Sequence, residues 1–258
     1  MPKLTLTISI VMAIFVAVNL EAVEPILSIG KQFPNHFLYS PDGRFLATVA
    51  SPYLELLDAK TFETVWYINP AEGDFLAFSP DGLLLAVYGE ASGIHIWDIQ
   101  SKKQLKTIPV QGWRVQFSMD GKQIAYMTPG RVFVWDLDLD RAIFETQTGA
   151  SQGPRMAFNP NSQFLAVESD DTHAILWDLK RGQTIFDVDF SPYYPGEISF
   201  SPDGSLLAIV TRRRHVVNDN DVYGLKLFNP ATGEMIYESA MKGGTVSDIG
   251  FTSDGKFL

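Results

Sequence analysis

The chain has 258 residues, 46% of them hydrophobic and 12% aromatic, which is enough to bury the core of a large domain. A formal net charge of −10 excludes a broad nucleic-acid surface and a surface for anionic membranes, because both need concentrated positive charge. The absence of cysteine excludes disulfides, thiolate metal sites, cysteine nucleophiles and an acylated cysteine anchor, and leaves the compartment open.

Residues 1–22 read as a secretory signal peptide. Lys3 supplies a weak positive start, residues 4–18 form an apolar run, and Leu20-Glu21-Ala22 places a small residue at the expected cut. The alternative is a retained anchor over residues 4–20. Cleavage would leave residues 23–258 as the mature chain, with no membrane span, in the periplasm or secreted. No twin-arginine pair is present, so export is expected by the general route.

From residue 39 onward one short stretch keeps returning. It reads Tyr39-Ser40-Pro41-Asp42-Gly43, Phe78-Ser79-Pro80-Asp81-Gly82, Phe117-Ser118-Met119-Asp120-Gly121, Phe158-Asn159-Pro160-Asn161-Ser162, Phe200-Ser201-Pro202-Asp203-Gly204 and Phe251-Thr252-Ser253-Asp254-Gly255. Aligned on the serine, the copies begin 39, 39, 41, 42 and 51 residues apart, a period that signals a repeat architecture. Pro presets the second position of a type I turn, Asp bonds to nearby backbone and Gly accepts positive φ at the exit. Apolar runs on both sides make each copy a hairpin of two strands, a and b. Strand b carries an alanine at a fixed place: Ala47, Ala86, Ala125, Ala166 and Ala208. A small side chain there would let neighbouring units approach closely.

A third strand, c, follows. It ends in Leu57-Asp58, Trp97-Asp98, Trp135-Asp136, Trp177-Asp178 and Phe228-Asn229. A polar turn then leads to a fourth strand, d, over residues 64–68, 105–108, 142–146, 184–188 and 235–239. Four antiparallel strands per period of about 40 residues predict propeller blades, and no segment carries a capped helical periodicity.

The Ser-Pro-Asp-Gly turn, the apolar-Ala strand and the Trp-Asp closes at 97–98, 135–136 and 177–178 resemble WD40 repeats over roughly residues 26–258. The resemblance departs at one point, since no Gly-His dipeptide precedes strand a. It implies an all-β fold, a β-propeller of four-stranded antiparallel blades, and a role in holding protein partners. Five complete units run from about residue 36 to 239, and a sixth strand a is expected over residues 245–251. Residues 26–29 stand in the register of a strand d with no blade of its own. Together these predict an open ring, truncated at its C-terminal side, from a propeller of six to eight blades.

The turn serines repeat around the ring and are read as structural, since a catalytic site needs one constellation in one place. His36, His95, His173 and His215 stand singly, with no metal-ligand spacing. The alternating Asp136, Asp138 and Asp140, and residues 218–221, lack the glycine and distal glutamate of a calcium loop. No catalytic residue, cofactor or metal is assigned. The repeat is broken most in unit five, where residues 211–224 swell the b–c connection and residues 190–196 the d–a connection. In propellers these two connections emerge on one face. Tyr193, Tyr194, Arg212, Arg213, Arg214 and Tyr223 are therefore expected to gather there as a partner-binding patch, Tyr and Arg being enriched at hot spots. The expected function is an exported, non-enzymatic scaffold for protein partners. The alternatives are a propeller-type enzyme, hydrolase-, lactonase- or quinoprotein-like, or an accessory propeller domain of a longer sensor or enzyme.

Overall fold

The first five repeated stretches fold into the same small hydrogen-bonded unit. The computed structural model describes residues 36–50, 53–68, 75–89, 92–110, 112–149, 155–213, 222–242, 249–252 and 255. The Gly43 N–H donates to the Ser40 carbonyl at 2.9 Å, with φ of 69° at Gly43. The Ser40 hydroxyl donates to Asp42 Oδ1 at 2.7 Å and accepts the Phe45 N–H at 2.9 Å, so one side chain satisfies both the turn acid and the start of the next strand. Ser79, Ser118 and Ser201 repeat both bonds with Asp81, Asp120 and Asp203 and with Leu84, Gln123 and Leu206. In the fourth copy the residues change and the bonds do not. Asn159 Nδ2 donates to Asn161 Oδ1 at 2.6 Å, Asn159 Oδ1 accepts the Phe164 N–H at 2.8 Å, and Ser162 takes the positive φ of the glycine.

These hairpins belong to five antiparallel four-stranded sheets, each in sequence order. Blade one is β1 (His36–Tyr39), β2 (Phe45–Ala50), β3 (Tyr53–Asp58) and β4 (Thr64–Ile68). Blade two is β5 (Leu76–Phe78), β6 (Leu84–Gly89), β7 (Gly93–Asp98) and β8 (Lys103–Ile108). Blade three is β9 (Trp113–Phe117), β10 (Gln123–Thr128), β11 (Arg131–Asp136) and β12 (Arg141–Gln147). Blade four is β13 (Met156–Phe158), β14 (Phe164–Glu168), β15 (His173–Asp178) and β16 (Gln183–Asp189). Blade five is β17 (Tyr193–Phe200), β18 (Leu207–Arg213), β19 (Val222–Phe228) and β20 (Met235–Lys242). No helix occurs among the described residues. The Asp or Asn at the end of each third strand caps the following turn: Asp98 Oδ1 accepts the Ser101 N–H at 2.6 Å, and Asp58, Asp136, Asp178 and Asn229 do likewise.

The core lies between blades rather than within them. Phe78, Leu85 and Val87 of blade two pack with Ala47, Leu54 and Leu56 of blade one, and Phe158, Leu165 and Val167 of blade four pack with Ala125, Val132 and Val134 of blade three. The strand-b alanines are at most 1% exposed, and Ala47, Ala86, Ala125 and Ala166 belong to the clusters between blades, as their small size predicts. The third-strand aromatic reaches the fourth strand of the preceding blade: Trp97 meets Trp66 edge-on at 5.4 Å, Trp177 meets Phe144 at 5.3 Å, and Phe228 stacks on Phe186 at 6.0 Å. The turns themselves touch. A Cβ built on Gly82, Gly121, Gly204 or Gly255 would lie within 4 Å of Asp42, Pro80, Pro160 or Pro202 in the turn one blade earlier.

Residues 1–22 and 26–29 lie outside the described residues. Of the expected sixth first strand, residues 245–248 also lie outside, and residues 249–251 form no strand. The sixth turn is nonetheless made, with the Gly255 N–H donating to the Thr252 carbonyl at 2.8 Å.

Candidate functional site

Each first strand has a turn at one end. At the other end, four residues before the turn serine or its equivalent, stand His36, Phe75, Arg114, Arg155 and Glu197. The first strands of neighbouring blades approach one another, as β5 does β9 and β13 does β17, so these residues are drawn toward a common axis. Two of them sit on bulges. Trp113 pairs with Met127 and Val115 with Tyr126, leaving Arg114 as the extra residue, with φ of 51°. The β17 register shifts between Pro195 and Ile198, leaving Glu197 in the same relation. A bulge re-aims the side chain it carries. Gly112 permits the first, because a Cβ there would sit 2.0 Å from the Met127 carbonyl oxygen.

Arg155 connects these residues. Its Nε donates to Glu197 Oε1 at 2.8 Å, tying blade four to blade five. Its backbone N–H donates to Glu168 Oε2 at 3.0 Å. Glu168 ends β14 and is 6% exposed. Burial pushes its carboxyl up to about 7, and the opposing pull of the Arg155 N–H, the Arg155 charge and the Arg212 charge does not restore it. It is therefore about half ionised near neutral pH. Arg114 lies close enough to feel Arg155, Glu197 and Glu168. Burial first, and then the like charge of Arg155, lower its pKa, while the two acids raise it.

The predicted patch forms a ladder rather than loops. Tyr193 pairs with Arg213, Tyr194 with Arg212, and Arg212 in turn with Tyr223. Tyr193 to Gly196 were expected in a connection, and residues 211–213 and 222–224 in a loop; both are strand. Tyr and Thr favour strands, and β17 is an edge strand, where Pro195 costs no ladder bond. Arg214 lies outside the described residues. Arg212 joins the patch to the buried carboxyl through its charge on Glu168.

The other candidates are structural. His95 is buried, with Nε2 2.7 Å from Ser92 Oγ and Nδ1 3.2 Å from Thr107 Oγ1, and burial lowers its pKa, so it stays neutral. His173 lies 3.0 Å from Asp170 Oδ1. Asp136 caps its turn and Asp140 pairs with Lys106 at 2.8 Å. The side chain of His36, and His215 and residues 218–221, lie outside the described residues. Among the described residues no group of three or more His, Asp or Glu could hold a metal.

Arg114, Arg155, Glu168 and Glu197 were not found from the sequence, although two signals were present. The position four before the turn is charged in blades three to five, Arg, Arg and Glu, after His and Phe in blades one and two. The position nine after it reads Val49, Tyr88, Met127, Glu168 and Val210, one acid among apolar residues.

Five sequential four-stranded antiparallel sheets packed face to face, with hairpin turns in contact along one end, define a β-propeller. Its blades are WD40-like: residues 148–178 match the model of "WD domain, G-beta repeat". That match spans β13–β15, the blade whose turn departs most from Ser-Pro-Asp-Gly. The hydrazine synthase of Kuenenia stuttgartiensis has a similar solved structure, with a TM-score of 0.67 and 16% identity over 86% of this chain and 70% of that one; the likeness is one of fold. No curated protein matches the chain.

Proposed function

We propose that the chain is a non-catalytic scaffold, exported to the periplasm or secreted, that holds a protein partner against the end of the blades opposite the shared turns. The observation that carries this is the blade-five ladder of Tyr193, Tyr194, Arg212, Arg213 and Tyr223, continuous through Arg212 with the Arg155–Glu168 cluster. Tyr and Arg are the residue types enriched at hot spots, and here they are carried by paired strands. The WD40-like blades support the same role, since only the positions that vary between repeats distinguish one scaffold from another.

The test is capture of a partner from a periplasmic extract by the full chain. Replacing Tyr193, Tyr194, Arg212 and Arg213 by Ala abolishes capture, while far-UV circular dichroism stays unchanged. Equal capture by the variant would show that blade five is not the contact. Export is tested separately, by sequencing the N-terminus of the mature chain, which begins at Val23.

A further inference from the structure

We infer that Arg114 and Arg155 form a seat for a carboxylate carried by an acidic side chain of the partner, a step that rests on the scaffold reading above. Arg114 is partly exposed, and among the described residues its guanidinium makes no hydrogen bond or ion pair. Arg155 commits Nε to Glu197 and leaves its terminal nitrogens without a bond among the described residues. Two guanidinium groups repel, and both lie where solvent screening is reduced. Holding these like charges within electrostatic reach of one another costs free energy that an anion between them returns. The planar fork of a guanidinium matches a carboxylate in two-point contact. The bulge at Arg114 is a specific device, because it depends on Gly112 lacking a Cβ. The chain carries a net −10, so attraction of an acidic ligand has to be local.

Glu168 acts as the internal competitor for this seat. It is faced by Arg155 at the entry to β13, by Arg114 on β9, by Arg212 on β18 and by Asp171 in the turn after β14, with Glu197 on β17 reached through Arg155. Ionised Glu168 offsets the arginines. Protonated Glu168 leaves only Glu197 to offset them, so the seat strengthens as pH falls through neutrality.

Two probes distinguish a partner's side chain from a free acid: the blocked tetrapeptide acetyl-Gly-Glu-Glu-Gly-amide and glutarate, each titrated calorimetrically into the full chain near pH 6 and near pH 8. The peptide binds wild type about tenfold more tightly at the lower pH. Arg114→Gln loses that gain. Glu168→Gln binds at the higher pH as tightly as wild type does at the lower, an improvement that a damaged fold would not produce. Equal peptide binding by wild type and Arg114→Gln overturns the seat, as does weaker binding by Glu168→Gln. Arg114-dependent binding of glutarate without binding of the peptide overturns the partner's side chain as its source. None of these outcomes alters the blade-five capture result, so the seat and the scaffold reading fail separately.

Discussion

The two ends of the first strands obey different rules. At the turn end, Ser40, Ser79, Ser118 and Ser201 make the same two hydrogen bonds, and Asn159 and Asn161 reproduce them with other atoms. At the opposite end the shared position holds Phe75, then Arg114 and Arg155, then Glu197, an aromatic, two cations and an anion. Packing explains the difference. Each turn touches the turn before it, so a change there disturbs two blades. At the opposite end bulges let side chains aim independently, and charge can vary without moving the backbone. Uniformity therefore marks what the blades need from one another, and variety marks where one blade can differ from the next.

The largest effect is expected between the two ends, where the strand-b alanines leave no room. Ala125 is fully buried against Phe158, Leu165 and Val167 of the next blade. Ala125→Leu should push blade three off blade four and cost about 3 kcal/mol, read as a lower midpoint in urea. A neutral result would mean that the blades do not pack as tightly as their burial implies.

Next in size is Glu168→Gln, whose effect has a sign that pH reveals. The folded pKa of Glu168 lies above its ordinary value, so the folded chain binds more protons than the unfolded chain between about 4.5 and 7. Stability therefore falls as pH rises through that window. The variant lacks this loss. It should match wild type near pH 5 and exceed it near pH 8 by on the order of 2 kcal/mol. Parallel stability–pH curves for the two proteins would show that Glu168 is not held neutral by burial.

Ser118→Ala follows, at about 1.5 kcal/mol, because it strands the Gln123 N–H where Ser118 is fully buried and takes one donor from Asp120, which keeps the Lys122 N–H. The paired change Asn159→Ser with Asn161→Asp should cost less than about 0.5 kcal/mol, since the bonds it restores are those of the other blades. A large loss from the pair would show that the two turn chemistries are not equivalent.

How much of this could be read beforehand follows the same division. The turns, the buried alanines and the Asp or Asn that caps each c–d turn repeat, so they announced blade, register and strand number from the residues alone. The third strand was anticipated at residues 94–98 and is Gly93–Asp98; the fourth was anticipated at 184–188 and is Gln183–Asp189. The sequence shows blade five to be irregular, but places its extra residues in connections. Pro195 and Gly196 read as turn residues, and only the edge position of β17 makes them compatible with a strand. The Arg114–Arg155–Glu168–Glu197 cluster was missed because its members lie about 40 residues apart and become neighbours only when blades converge. Glu168 also sits in a column that is otherwise apolar, and a single departure in such a column is visible only once the columns are laid side by side.

The smallest expected effect bears most directly on the contrast between the two ends. Arg114→Gln should change stability by less than about 0.5 kcal/mol at neutral pH. Arg114 makes no hydrogen bond or ion pair among the described residues, and its burial and its repulsion from Arg155 are opposed by attraction to Glu197 and Glu168. Removing the charge relieves the first two and forfeits the third, so the terms nearly cancel. The backbone has no reason to change, because the bulge depends on Gly112 and Gln tolerates φ of 51° about as well as Arg. Chemical denaturation of the variant against wild type measures the difference. A loss as large as that of Ser118→Ala would place Arg114 among the residues that hold blades together and would remove the distinction between the two ends. A negligible loss leaves a partly buried charge that the fold carries without needing, as expected of a residue kept for a ligand.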